Sequence, residues 1–354
     1  MSYESRSFEK KNYSSRIKEV FVNTYATRSV DKPIVVCTHD GIFHSDELMA
    51  IAIFKLYVEF NKCNVEVVRS RNEVAMDSAD LVFDVGMRNE GKYFDHHQPL
   101  DAVHENGIPL ATAGLVWKDL GYHLIKYVAL RQNEDIDVNN EFIYAIWNKI
   151  DNKLIMPIDA TDNGINLYKG LDVRPVDISS VINMFNNYQS VNQDKQFMKA
   201  LKLMSIVIHN FLMTMIKQML GEKILMDIVH DPENKYGNIL VMPKYINNWK
   251  DIIDDHFDDF EQFKLVLYPG DDEPDLNGAQ SWRIVSLQKE QYDGFSIKCP
   301  APAEWPRLKG DELKRISKHN CLTFVHKSGF MGGLHGTKQE AIEVCNDWIR
   351  NSAM

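Results

Sequence analysis

An α/β fold with a mainly parallel sheet is the architecture that the sequence predicts, and two observations predict it. Strand-like segments alternate with helix-like segments, and ionisable residues repeatedly follow the strand-like ones. Such alternation is typical of parallel sheets covered by helices, whose chemistry lies at the carboxyl ends of the strands. We therefore expect a functional site at that edge of the sheet.

The composition indicates a globular protein of two domains. The chain has 354 residues, of which 44% are hydrophobic and 25% charged, and domains usually contain roughly 100–200 residues. Its 40 basic and 50 acidic residues give a net charge of −10, which disfavours nonspecific coating of nucleic acid and polybasic membrane binding. Five widely spaced cysteines without a Cys-x-x-Cys pair favour a reduced, intracellular compartment.

Residues 1–31 are predicted to form a flexible tail, because they are rich in Ser, Lys and Arg and lack an apolar core. Glu4, Glu9 and Glu19 argue against an organellar presequence. No apolar stretch reaches the roughly eighteen uncharged residues of a membrane span. We therefore expect neither secretion nor a transmembrane segment.

The first domain is predicted over residues 32–192. The β-branched segment 34–37 predicts a buried strand, and a polar loop then leads into a helix from Asp46. Two more strand-like segments and two helical segments follow: strands at 65–70 and 79–86, and helices from residues 112 and 140.

The second domain is predicted over residues 223–354. A long apolar segment, 193–222, precedes it, and the lysines within that segment favour a connecting helix over a membrane span. The second domain shows three strand-like segments and a closing helix: 263–269, 281–288, 321–326 and 338–349. We expect a second, smaller α/β domain.

An ionisable cluster lies in the loop after the first strand. It contains His39, His44 and Asp46, and Gly41 allows the backbone to turn sharply between them. Imidazoles and carboxylates this close together indicate a metal site. A solvated loop with Asp46 as the N-cap of the helix is the alternative, and the local residues leave both open.

Two more clusters follow apolar segments: Asp84 with Asp95, His96 and His97, and Asp159 with Asp162. Burying such charges is unfavourable unless they coordinate a partner. A surface Asp-His-His sequence and a solvated Asn-Gly turn are the respective alternatives. Taken together, the three clusters sit where strands are predicted to end in one domain, and their donors suit Mn²⁺ or Mg²⁺ at a two-metal site.

These motifs resemble the DHH phosphoesterase superfamily and, within it, the melanocyte-proliferating-gene family of metal-dependent RNA exonucleases. The opening pattern THxGxFHxDE is present at residues 38–47. Further matching segments are VFDVG at 82–86, YFDHHQ at 93–98, TAG at 112–114 and IDATDNG at 158–164. The resemblance covers the chain from about residue 32 onward.

The resemblance implies roles for the residues of these motifs. The implied metal ligands are His39, His44, Asp46, Asp84, His96 and either Asp162 or Asp159. Asp162 is favoured because it directly precedes the Asn-Gly turn. The catalytic residues would be His97, which contacts the scissile phosphate, and Asp95, which orients a neighbouring imidazole. His44 stands where many superfamily members have Asp.

The second domain resembles the substrate-binding half of the same family through the pattern CxFVHxxGFIGG, which residues 321–333 match closely except for one additional residue between Cys321 and Phe324 and for Met331. A Gly-rich turn before a helix is expected to bring backbone N–H groups to an anion, with a simple tight turn as the alternative. The implied substrate-binding residues are Arg283, Arg307, His326, Gly329, Gly332 and Gly333.

The function that the resemblance implies is 3′-to-5′ hydrolysis of single-stranded RNA ends with Mn²⁺ or Mg²⁺, in the nucleus or the mitochondrion. Two alternatives stay open. One is a small-molecule phosphoesterase, such as a pyrophosphatase or a hydrolase of oligonucleotides or cyclic dinucleotides. The other is a metal-binding scaffold without turnover, which the number of converging charges disfavours.

Overall fold

The computed structural model describes residues 15–27, 32–60, 63–132, 139–170, 172, 175–186, 192–271 and 278–352. The chain forms two compact units, Met1–Ile216 and Lys217–Met354, which we call the N-terminal and C-terminal units. The boundary falls inside one helix, Gln193–His230, which extends beyond the predicted connecting segment 193–222.

The N-terminal unit is built on a four-stranded sheet in the order β2-β1-β3-β4. The strands are β1 (Ile34–Thr38), β2 (Val65–Arg69), β3 (Leu81–Phe83) and β4 (Tyr93–Phe94). Every neighbouring pair is parallel. The buried, β-branched character of β1 suits a parallel strand that is covered on both faces. The α/β prediction with a mainly parallel sheet is confirmed.

Seven helices of the described residues before position 192 surround this sheet: α1 (Arg16–Thr27), α2 (Ser45–Phe60), α3 (Glu73–Ser78), α4 (Thr112–Gln132), α5 (Asn140–Ile150), α6 (Met156–Asp162) and α7 (Ile178–Asn183). A π-helical segment, Asp151–Ile155, joins α5 to α6. Residues 48–54 of α2 are all fully buried, because this helix is apolar on every side. Its first turn therefore has a fixed place at the end of β1.

The predicted flexible tail is wrong for the residues that form α1. Ile17 and Phe21, one helical turn apart, are buried. The carboxylate of Asp119 on α4 accepts hydrogen bonds from Ser15 Oγ (2.7 Å) and from Ile17 N (3.0 Å). A carboxylate at a helix N-terminus satisfies donors that the helix itself leaves unpaired. Residues 1–14 and 28–31 of the predicted tail lie outside the described residues.

The long helix α8 (Gln193–His230) has 38 residues. By length and composition it could cross a membrane, since its most apolar 18 residues have a mean hydropathy of 1.3. One third of that window, 33%, is buried within the protein. Its apolar residues therefore also serve packing.

The C-terminal unit contains a six-stranded sheet in the order β5-β6-β7-β8-β10-β9. Its strands are β5 (Lys235–Tyr236), β6 (Ile239–Val241), β7 (Leu265–Pro269), β8 (Ser281–Ser286), β9 (Leu322–Val325) and β10 (Met331–His335). Its helices are α9 (Trp249–Asp255), α10 (Gly310–Ser317) and α11 (Lys338–Asn351). The pair β6–β7 is parallel and the other pairs are antiparallel. Separate apolar clusters cover the two faces.

Candidate metal centre

The loop after β1 is held in place by side chains that are distant in sequence. Arg69 Nη2 donates to the carbonyl of Gly41 (2.6 Å). Asn186 binds both backbone groups of Phe43, accepting from its N–H (3.1 Å) and donating to its carbonyl (2.6 Å). Gly41 has φ +86°, in the left-handed region that favours glycine. These contacts fix the two histidines of the loop.

His39 faces two carboxylates from within the protein. Its Nε2 lies 3.2 Å from Glu47 Oε1 and 3.3 Å from Asp84 Oδ2. Its Nδ1 lies 3.0 Å from the carbonyl of Asp40, so Nδ1 carries a proton and Nε2 is the atom turned to the cluster. Burial lowers the pKa of His39, but the two carboxylates outweigh burial and raise the pKa to about 10.

Asp46 is a buried carboxylate without hydrogen-bond partners in the described part of the chain. It lies in the first turn of α2 with no exposed surface, and neither oxygen has a hydrogen-bond partner among the described residues. Glu47, not Asp46, accepts the hydrogen bond from His44 N (2.8 Å) at the start of the helix, so the N-cap alternative for Asp46 is wrong. Burial, and then the charges of neighbouring carboxylates, raise the pKa of Asp46. A bound cation would supply the partner that its oxygens lack.

Asp84 lies directly after β3 in a strained backbone conformation. Its φ is +57°, a region that costs a non-glycine residue about 1–3 kcal/mol. Its Oδ1 accepts a hydrogen bond from Thr112 Oγ1 (2.9 Å) at the start of α4. Burial opposes ionisation of Asp84, but the imidazoles of His39 and His96 lower its pKa below the usual value. Asp84 is therefore an ionised carboxylate with a fixed direction.

His96 brings three carboxylates together. Its Nε2 lies 3.1 Å from Asp162 Oδ2, 3.4 Å from Asp84 Oδ1 and 3.9 Å from Asp46 Oδ2. None of these contacts has the geometry of a hydrogen bond. Burial lowers the pKa of His96, but Asp162 and Asp84 outweigh burial and raise it to about 10. Donor atoms that converge without bonding to one another are the arrangement that a shared cation requires.

The structure places Asp162, which the sequence favoured as a ligand, and Asp159, its alternative, in different surroundings. Asp162, at the end of α6, lies with His96 and also 3.9 Å from His44 Nδ1. Asp159 is engaged elsewhere: its Oδ2 lies 2.8 Å from His104 Nε2, and its Oδ1 accepts from Gly114 N (3.0 Å). Because both oxygens of Asp159 already have partners, the structure favours Asp162 as the ligand, and the choice between them stays a prediction.

His97 and Asp95 form a pair at the edge of the cluster. Asp95 Oδ1 lies 2.7 Å from His97 Nδ1, and Asp95 Oδ2 accepts from Met87 N (2.6 Å). The imidazole oriented by Asp95 is therefore that of His97. The hydrogen bond that His97 donates to Asp95 raises the pKa of His97, whose side chain is 55% exposed. Its Nε2 is left to meet a ligand from solvent.

Within the part of the chain that the structure describes, four overlapping groups place donor atoms within 4.8 Å of one another: His39 with His44 and Glu47; Asp84 with His96 and His97; His44 with Asp46 and Asp162; and Asp46 with Glu47 and Asp84. Glu47 is the member that the predicted ligand set omitted. Glu47 lies three residues after His44, which is the spacing of a capping box. The sequence therefore suggests helix capping and does not reveal that Glu47 can also be a metal ligand. Oxygen and imidazole donors without a thiolate fit Mn²⁺ or Mg²⁺.

A cavity of about 460 Å³ opens onto this cluster. Its lining residues are His39, Asp40, Gly41, Ile42, His44, Arg71, Asp84 and His97. Arg71, which sequence reasoning missed, is exposed, and its Nε lies 3.3 Å from Asp40 Oδ1. A guanidinium beside a group of cation ligands can bind an anionic substrate.

The glycine-rich segment of the C-terminal unit differs from the predicted anion-binding turn. Gly332 and Gly333 lie inside β10, which pairs with β8 on one side and β9 on the other, so their backbone groups face the sheet ladders. The helix that follows, α11, is closed by its own capping box of Thr337 and Glu340. The expectation of a phosphate cradle at this helix is therefore wrong.

Gly333 instead makes room for two side chains on the sheet surface. Tyr268, Arg283, Gly333 and Phe324 lie opposite one another across four strands. The guanidinium carbon of Arg283 lies 5.5 Å from the centre of the Phe324 ring, and a Cβ on Gly333 would collide with that ring. The row combines two half-buried aromatic rings with one guanidinium.

The remaining predicted substrate residues lie in loops. His326 and Gly329 form the tight turn between β9 and β10, in which Gly329 N donates to the carbonyl of His326 (2.8 Å) and Gly329 has φ +69°. His326 Nδ1 lies 2.7 Å from Ser328 Oγ. Arg307 is exposed and has φ +71°. Their roles toward a substrate stay predictions.

The fold and the cluster define an α/β protein with a centre suited to divalent cations. The chain belongs to the MYG1_exonuc family, described as Uncharacterised protein family (UPF0160), whose model matches residues 35–349. A relative from Dictyostelium discoideum, named MYG1 protein, is 28% identical over 320 residues, which are 85% of this chain and 92% of the relative. A human relative, named MYG1 exonuclease, is 25% identical over 343 residues, which are 88% of this chain and 85% of the relative.

Two solved structures align with most of this chain at low similarity. A RecJ in complex with Mn²⁺ from Thermus thermophilus aligns with 95% of this chain and 54% of its own, at 13% identity and a TM-score of 0.26. CDC45 from Entamoeba histolytica aligns with 94% of this chain and 98% of its own, at 10% identity and a TM-score of 0.31.

Proposed function

We propose that this chain hydrolyses phosphodiester bonds with bound divalent cations and removes nucleotides from the 3′ end of single-stranded RNA. The observation that carries the proposal is Asp46, whose buried oxygens lack partners while the imidazole of His96 and the carboxylates of Asp84 and Asp162 converge beside them. Relatives in mouse and human named MYG1 exonuclease support hydrolysis that starts at a nucleic-acid end.

Two ions of Mn²⁺ or Mg²⁺ are part of the proposal, because the donor groups overlap through Asp46 and Asp84 without coinciding. The residues that would hold them are His39, His44, Asp46, Glu47, Asp84, His96 and Asp162. When bound, such ions would neutralise phosphoryl oxygens and lower the pKa of an attacking water.

The side chains around the cavity would bind and orient the substrate. His97, held through Nδ1 by Asp95, can donate from Nε2 to an oxygen of the scissile phosphate. Arg71 at the cavity can bind a second phosphate oxygen. The imidazole of His97 is a donor with a fixed orientation, and the guanidinium of Arg71 is a positively charged donor. Both suit a polyanionic substrate.

The row of Tyr268, Arg283 and Phe324 supports a nucleotide rather than a simple phosphate as the ligand of the C-terminal unit. Aromatic rings stack on nucleobases of any sequence, and an arginine beside them adds a cation for the backbone.

An intracellular place of action, in the nucleus or the mitochondrion, belongs to the same proposal and is supported by five free cysteines.

The decisive experiment compares end-labelled single-stranded RNA and DNA with pyrophosphate and a short dinucleotide, each with Mn²⁺. The proposal expects stepwise loss of nucleotides from the 3′ end of RNA, abolished in His96→Ala and retained in His319→Gln. His319 is the matched control because its Nε2 also contacts a carboxylate, Asp347 Oδ2 at 3.0 Å, but in the C-terminal unit. Preference for pyrophosphate would favour the small-molecule phosphoesterase. Metal-dependent stabilisation without any cleavage would favour the scaffold.

A further inference from the structure

A second histidine–carboxylate cluster lies in the N-terminal unit, apart from the groups that face the cavity. His104 has no exposed side-chain surface, and each of its ring nitrogens meets a carboxylate. Nδ1 lies 3.0 Å from Asp151 Oδ2, and Nε2 lies 2.8 Å from Asp159 Oδ2. An imidazole that donates from both nitrogens to two carboxylates has its ring orientation fully determined.

Asp159 connects this cluster to the first turn of α4. Its second oxygen accepts from Gly114 N (3.0 Å), and a Cβ on Gly114 would overlap the Asp159 carboxylate. Gly114 is therefore required for this contact. Two residues earlier, Thr112 Oγ1 donates to Asp84 Oδ1 (2.9 Å). His104 is thus connected, through Asp159 and the first turn of α4, to Asp84 of the metal centre.

The same cluster also fixes α6, which carries Asp162. Asp151 opens the π-helical segment and Asp159 lies in the helix that follows it. π-helical turns are rare and are often found at functional sites. His104 contacts Asp151 at the start of this segment and Asp159 in the helix after it. These two contacts fix the position of α6 and therefore of Asp162 in its last turn.

We propose that His104 is a positioning residue for the metal centre. Through Asp159 it holds α6, with Asp162, against the first turn of α4, where Thr112 directs Asp84, while Asp151 fixes the other nitrogen of the ring. The inference rests on the proposed function in taking Asp162 and Asp84 as cation ligands. A buried ion cluster contributes little net stability compared with apolar packing, whereas cation ligands need placement to within about 0.5 Å.

Two conservative substitutions in the full-length chain separate positioning from simple stabilisation. The amide nitrogen of His104→Gln replaces Nε2 and keeps the hydrogen bond to Asp159, whereas that of His104→Asn replaces Nδ1 and keeps the one to Asp151. Each variant loses one hydrogen bond to a buried carboxylate, and the two lost bonds are of similar strength. Positioning through Asp159 therefore expects Gln to retain more metal affinity than Asn at similar stability.

The measurements are the Kd for Mn²⁺ alone by titration calorimetry, the melting temperature without metal, and kcat and KM on labelled RNA. We expect His104→Asn to weaken Mn²⁺ binding by about 10–100-fold and to lower kcat with little change in KM, and His104→Gln to lose clearly less. Asp119→Ala is the control, because it removes the carboxylate that anchors α1 to α4 and should lower the melting temperature while leaving the Kd unchanged.

An equal Kd in wild type, Gln and Asn variants would overturn the inference, as would an equal loss in Gln and Asn. Wild-type protein that binds Mn²⁺ and cleaves RNA, beside variants that do both equally well, would leave the proposed function intact and remove only the role of His104. Wild-type protein that does not bind Mn²⁺ would overturn both.

Discussion

Asp162 Oδ2 lies 3.1 Å from His96 Nε2, although one residue ends α6 and the other follows β4. The contact joins two segments that are far apart in the chain, and Asp84 and Asp46 reach the same nitrogen from two further segments. Four independent backbone positions must therefore be correct before these donors can share a cation. The centre is a property of the folded sheet edge and of the helices that follow it.

Asp46→Asn is expected to abolish hydrolysis and metal binding without destabilising the metal-free protein. Asp46 is buried and lacks hydrogen-bond partners, and burial raises its pKa, so a neutral amide of the same shape removes an unfavourable charge rather than a contact. Thermal unfolding with and without Mn²⁺ tests this. Wild type should gain stability from Mn²⁺ and the variant should not. A variant that melts well below the metal-free wild type would contradict this account of the centre.

Much of the centre follows from the sequence because strand ends can be located there. Apolar segments ending in His39 and Asp84 predicted two strands, and parallel strands bring their carboxyl ends to one edge. Asp46, in the first turn of the helix after β1, is placed by the same rule. These residues do lie together in the structure.

Other features depend on contacts that no local pattern encodes. The sequence favours Asp162 over Asp159 only by its place before the Asn-Gly turn, whereas the contact with His104 shows that Asp159 is already engaged. Gly333 looked like part of a turn because glycine pairs are common in turns, yet it makes room for Phe324 in a strand. The helix α1 was missed because its carboxylate cap, Asp119, lies far along the chain.

Binding of Mn²⁺ is expected to release protons. Although burial lowers the pKa values of His39 and His96, the surrounding carboxylates raise both to about 10, and burial raises the pKa of Asp46. The two imidazoles therefore hold protons near neutral pH in the metal-free protein and must lose them to act as ligands. The apparent affinity should rise with pH by about tenfold per pH unit for each proton released. Calorimetry at about pH 7.5 in buffers of different ionisation enthalpy would count about two protons, one from each imidazole; a count of zero would contradict the prediction.

His97→Gln is expected to lower kcat by about a hundredfold with little change in the Kd for Mn²⁺. His39, His96 and His97 lie near Asp84, and the imidazole of His97 is the most exposed of the three. Asp95 holds its Nδ1, so Nε2 serves the substrate rather than the cation. Asp95→Asn keeps an acceptor for Nδ1 but removes the charge, and a smaller loss of about tenfold is expected. Single-turnover rates at saturating Mn²⁺, beside a Kd for each variant, would check both. A loss of metal affinity equal to the loss of rate would instead make His97 a ligand.

Phe324→Leu and Arg283→Lys are expected to raise the KM for single-stranded RNA while leaving hydrolysis of a base-free phosphodiester, bis(p-nitrophenyl) phosphate, unchanged. Phe324 and Arg283 lie on one row of the C-terminal sheet, with the ring and the guanidinium 5.5 Å apart. Loss of one stacked base costs about 1–3 kcal/mol of binding free energy. This corresponds to roughly 5–150-fold in affinity. Arg350→Lys is the matched control, because Arg350 is 73% exposed and pairs with Asp347 on α11. An unchanged KM for RNA in Phe324→Leu would show that the row does not contact the bases. A parallel loss on the base-free substrate would show that the substitution disturbs the protein more widely.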